Sequence, residues 1–102
     1  MKEEIRQRME KAIKEIIGKI PKGKIFDSHY VINQLISDHS NDYLAFASEV
    51  ADSDKKTANV HGLISQEIKK LDFLVEQVGD TGDFWSDNIR GNASECAGWK
   101  KK

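Results

Sequence analysis

The period of the apolar residues changes once along this chain, and that change limits what the chain can fold into. In the first stretch Ile5, Met9, Ala12, Ile13, Ile16, Ile17 and Ile20 recur largely at steps of three and four, with charged residues between them. Such spacing lays one apolar stripe along an α-helix. It predicts a first helix over residues 3 to 18, ended by Gly18 as a left-handed cap and by Pro21, which lacks the next backbone donor. Beyond Leu71 the pattern is that of strands. Phe73 to Val78 is rich in apolar and β-branched residues and is bounded by Gly79, while Ser94 to Lys100 offers Cys96, Ala97 and Trp99 as packing groups. Helices first and a β-hairpin last define an α+β chain.

Between these ends the punctuation is dense. Ile25 and Phe26 suit a brief strand, after which Asp27 or Ser28 caps a second helix with Tyr30, Val31, Ile32, Leu35 and Ile36 on its buried side. The run Ser37-Asp38-His39-Ser40-Asn41 breaks that helix. A short third helix then turns Tyr43, Leu44, Phe46, Ala47 and Val50 toward the core. Asp52-Ser53-Asp54 is a further cap cluster, followed by Val60, Leu63, Ile64, Ile68 and Leu71 at helical spacing, which predicts a fourth helix from about residue 54 to residue 71.

At 102 residues the chain suits one domain spanning 1–102, because two separate cores would each have too little interior to offset the entropy of folding. The 38% hydrophobic content supplies that single core. Lys and Arg number 16 against 17 Asp and Glu, so no global charge attracts a polyanion and any nucleic-acid surface must be a local patch. Cys96 is the only cysteine and has no intramolecular disulfide partner. The charged, periodic N-terminus does not resemble a signal peptide, and no apolar run approaches the roughly 20 residues that span a bilayer. A cytoplasmic protein without membrane partners is the expectation, and the sequon Asn92-Ala93-Ser94 is read as chance.

Motifs for catalysis are missing. His29, His39, His61 and Cys96 do not reproduce a zinc-ligand spacing, so neither a metal nor another cofactor is expected. Gly79-Asp80-Thr81-Gly82-Asp83 lacks the Lys-Ser or Lys-Thr ending of a phosphate loop and the closing glutamate of an EF-hand, and it reads as a turn. Cys96, in an apolar strand, reads as an inert thiol. The chain is expected not to be an enzyme.

Helix, short strand, helix, a capped break, a longer helix and then a hairpin resembles the winged helix-turn-helix order, with three to four helices followed by a C-terminal β-hairpin. The segment from Tyr43 to Val50 is an additional helical piece between the first and last helices of the minimal motif, either the middle helix, with residues 28 to 37 as an insertion, or an elaborated turn. The ending, with Ser86, Asn88, Ile89, Gly91, Ser94, Glu95, Cys96 and Trp99, also resembles the C-terminal signature of small bacterial proteins of unknown function.

The winged-helix resemblance implies DNA as partner, with the fourth helix in the recognition position. Lys55, Lys56, Asn59, Gln66, Lys69 and Lys70 lie off its apolar stripe. Asn and Gln can pair with adenine edges, and Lys can contact guanine or phosphate. The same residues also suit a merely solvated helix face. Lys22 and Lys24, in a basic run, are expected to meet a phosphate backbone.

The loop 79–93 holds Asp80, Asp83 and Asp87 against Arg90, which a phosphate backbone would repel. It is expected to fold back over the hairpin. Two functions therefore stand: a DNA-binding or DNA-associated accessory domain using the fourth helix, and a protein-interaction module that contacts a protein partner through Phe84, Trp85 and Ile89.

Overall fold

The computed structural model describes residues 1–87 and 93–102, with residues 79–87 and 93–95 described by backbone alone. The order of elements is α1 (Glu3–Gly18), β1 (Ile25–Asp27), α2 (Ser28–Asp38), α3 (Ser40–Ser48), α4 (Lys56–Lys69), β2 (Val75–Asp87) and β3 (Ala93–Lys101). Four helices and a small antiparallel sheet in the order β1-β3-β2 make an α+β fold with a winged-helix-like layout.

The apolar stripe of α1 is its core face: Met9, Ala12, Ile13, Ile16 and Ile17 are buried. Glu3 and Glu4 occupy its first turn, where acidic groups suit the helix dipole. Gly18 is the last helical residue and does not take a left-handed conformation. That conformation falls at Gly23, with φ 85°, because the chain must turn back sharply enough for Gly23 N–H to donate to the Lys101 carbonyl at 2.8 Å. Local bonds close the end of α1, Lys19 N–H donating to the Ile16 carbonyl (3.2 Å) and Ile20 N–H to that of Ile17 (2.9 Å), and Lys101 Nζ from far along the chain adds bonds to the carbonyls of Ile17 (2.8 Å) and of Ile20 in the following turn (3.3 Å).

Of the two candidates for capping α2, Asp27 takes the role, its Oδ1 accepting Tyr30 N–H at 2.9 Å. Ser28 is instead buried, and its Oγ accepts the Trp99 indole N–H at 3.0 Å. Val31, Ile32 and Leu35 turn inward, but Tyr30 is 42% exposed because it follows the cap on the outer side of the first turn. Only His39 separates α2 from α3. Phe46 is the buried anchor of α3, whereas Leu44, expected in the core, is 61% exposed: two positions before Phe46, it points to the other side of the helix.

β3 is the central strand. Phe26 of β1 and Gln77 of β2 both lie opposite Trp99, and Ile25 and Glu76 both lie opposite Lys100. Trp99, Phe46, Ile13, Ile17, Leu35, Ile64 and Ile68 form the middle of one core. The hairpin differs from its expected form. β2 starts at Val75, leaving Phe73 exposed beside Lys14, whose Nζ lies 5.7 Å from the ring centroid.

β2 also continues through Gly79–Asp83 to Asp87, so this segment is neither a turn nor part of a long lid. The ladder accommodates it by shifting register. Gly79 pairs with Gly98 and Phe84 with Cys96, so β2 carries more residues between these pairs than β3 does.

Candidate nucleic-acid interface

The two sides of α4 differ sharply. Val60, Ile64 and Ile68 are buried, and Glu67 joins them with 8% exposure, its carboxylate held by Lys70 Nζ at 3.2 Å and approached by Arg6 of α1 at 3.8 Å. The opposite side carries Asn59, Gly62, Gln66 and Lys69, with Lys55 just ahead of them at the N-cap, all exposed, at steps of four, three, four and three. That spacing sets them in one row about 21 Å long at 1.5 Å per residue. A Cβ built on Gly62 meets nothing within 4 Å, so the middle of the row is open.

The six residues expected on this helix do not share one environment. Lys55, Asn59, Gln66 and Lys69 lie in the row. Lys56 is half-buried on its margin with Nζ 2.7 Å from Asp52 Oδ1, and this bond holds the Asp52 carboxyl below the usual carboxylate range. Lys70 is tied to Glu67. The cap cluster acts through Ser53, whose Oγ accepts Lys55 N–H at 3.2 Å and so meets one of the open donors at the start of α4.

Lys22 and Lys24 are exposed but stand elsewhere. Their turn is bonded to β3, with Lys101 N–H donating to the Lys24 carbonyl at 2.9 Å, on the β1 edge of the sheet. Lys102 N–H donates to the Leu74 carbonyl at 2.9 Å, which brings the end of β3 close to the segment leaving α4. The three closing lysines part company: Lys101 Nζ turns to the end of α1, Lys102 Nζ donates to the Asp72 carbonyl, and Lys100 is exposed. Reading Ser94 to Lys100 only as a strand missed these ties, and the three consecutive lysines carry no signal of which carbonyls they meet.

Side chains with chemical potential elsewhere serve as ties between helices. Tyr43 Oη lies 3.0 Å from His61 Nε2 and links α3 to α4, and burial raises the Tyr43 hydroxyl above its ordinary range. Arg8 Nε donates to Asp42 Oδ1 at 2.8 Å, and His39 stands between Glu15 (3.5 Å) and Asp42 (3.9 Å), in a charged pocket of about 230 Å³. Cys96 is buried at 6% exposure.

Among the described residues no group of three or more His, Cys, Asp or Glu side chains is arranged to hold a metal ion, and no helix is long and apolar enough to cross a membrane. The protein-contact set falls outside the described residues: Ile89 entirely, Phe84 and Trp85 in their side chains. No protein-family model, no curated protein and no solved structure matches this chain.

Proposed function

We propose that this chain binds duplex DNA through the exposed row of α4. The observation that carries the reading is the row itself: Lys55 and Lys69 at its ends and Asn59 and Gln66 between them, on the helix that precedes the hairpin. Cations at the two ends suit phosphates on either side of a major groove, and the amides between them suit adenine edges. The absence of a side chain at Gly62 lets the helix backbone approach a groove floor closely. Because the net charge is only -1, attraction rests on this local row and weakens with salt in proportion to the few phosphates the row neutralises.

The test is titration of a labelled random-sequence duplex at low and moderate salt, followed by fluorescence anisotropy. Wild type binds at low salt with a linear dependence of log affinity on log salt. Lys55→Ala combined with Lys69→Ala reduces that slope by about 2, one phosphate contact per lysine. No binding by the wild type at the lowest salt overturns the reading, and so does an unchanged slope in the double variant.

A further inference from the structure

At the β1 edge, on the other side of β3 from β2, lies a groove of about 330 Å³ whose walls include Ile20, Pro21, Ile25, Phe26 and Tyr30. Two of these are large apolar residues that the fold leaves open, Ile25 at 60% exposure and Tyr30 at 42%. The rim is cationic. Lys19 lines the groove, Lys22 and Lys24 lie in the turn that joins its two walls, and Lys100 stands opposite Ile25 on the neighbouring strand. The one acid in the lining, Asp27, already has a carboxylate oxygen engaged with Tyr30 N–H.

The backbone of β1 adds a third property. Lys101 N–H donates to the Lys24 carbonyl across the Ile25–Lys100 pair, which makes that pair the non-hydrogen-bonded kind. The N–H and C=O of Ile25 therefore point away from β3, toward the open edge of the sheet. An edge of this kind is a template for one more strand.

We infer that this groove docks an extended, acidic segment of a partner protein that lays an apolar side chain between Ile25 and Tyr30 and pairs its backbone with Ile25. Charge complementarity selects the acids: Lys19 lines the groove and Lys22 and Lys24 sit in the turn between its walls, three cations against the single carboxylate of Asp27, one oxygen of which already accepts Tyr30 N–H. The apolar floor favours a peptide over nucleic acid, whose phosphates would use the lysines and leave Ile25 without a role. This inference does not rest on the DNA reading, because the row on α4 contributes nothing to the groove.

The test is panning of a displayed library of random linear peptides on the full chain, with the recovered peptide synthesised and titrated. Recovered sequences combine Asp or Glu with a Leu, Ile, Val or Phe, and binding shifts the amide resonance of Ile25. Lys22→Glu with Lys24→Glu weakens the peptide by about tenfold or more, as expected for like charges brought together. Ile25→Asp, at an exposed position, does the same, with circular dichroism confirming that both variants stay folded. N-methylation of the peptide backbone along the paired edge abolishes binding, while Lys55→Ala with Lys69→Ala leaves it unchanged.

Failure to enrich peptides overturns the proposal, as does enrichment of sequences without acids or equal binding to the charge-reversed variant. Displacement of the peptide by an unrelated duplex overturns it too, since the lysines would then belong to a nucleic-acid surface.

Discussion

The seam between β3 and α2 and the outer row of α4 use polar side chains in opposite ways. In the seam, the Trp99 indole N–H and the Ser28 hydroxyl come from positions 71 residues apart and meet in the dry interior. Each residue there is fixed by the other, because a buried donor without its acceptor costs its full desolvation energy. Along α4, Lys55, Asn59, Gln66 and Lys69 project into solvent from a helix that is held by its other side. Exchanging them leaves nothing buried and unpaired. The contrast shows where this fold can carry recognition at little expense in stability.

The most severe way to probe the contrast is inside the seam. Trp99→Ala removes a nearly fully buried indole and is expected to cost about 3–5 kcal/mol, measured by urea unfolding. Ser28→Ala keeps the indole but strips its acceptor, at about 1–3 kcal/mol. If that serine variant is as stable as the wild type, the seam is held by packing alone and the contrast loses its polar basis.

On the outer row the sign reverses. Gly62 lies inside α4 with open space where a Cβ would stand, so Gly62→Ala is expected to stabilise the fold by about 0.5–1 kcal/mol. A loss of stability there would mean that the row is not open.

The smallest effect is at the margin of the row, where the Lys56 ammonium holds Asp52 below the usual carboxylate range. The folded-state pKa is depressed, so the contribution of this pair is present above the unfolded pKa and is lost as pH falls through the folded one. Carboxyl NMR titration should place Asp52 below an ordinary aspartate in the wild type and return it to the ordinary value in Lys56→Ala.

Local features of the fold were legible because they are written locally. The stripe from Ile5 to Ile17 places α1, Asp27 marks the start of α2, and Val60, Ile64 and Ile68 identify the buried side of α4. The hairpin was misjudged because Gly79 to Asp83 has the composition of a turn, whereas a register shift absorbs it within β2. Nothing near Ser28 in sequence announces Trp99, and nothing near Ile17 announces Lys101.

For the candidate site, periodicity was enough to put Lys55, Asn59, Gln66 and Lys69 on one side of a helix. It was not enough to see that Asp52 and Glu67 hold Lys56 and Lys70, or that Lys22 and Lys24 stand at the other edge of the sheet. Those are matters of tertiary placement.

The bond from Lys101 to the Ile17 carbonyl also bears on the order in which the molecule assembles. Its partners are 84 residues apart, and the same residue is hydrogen-bonded through its backbone to Gly23 and Lys24. The first helix closes its end with local bonds from Lys19 and Ile20, and it gains the further bond from the Lys101 ammonium only once the third strand has docked. Closing so long a loop precedes the reward, and such non-local pairing slows folding. Removing the ammonium by Lys101→Met is a change made late in assembly, so it should hasten unfolding while leaving the refolding rate nearly unaltered.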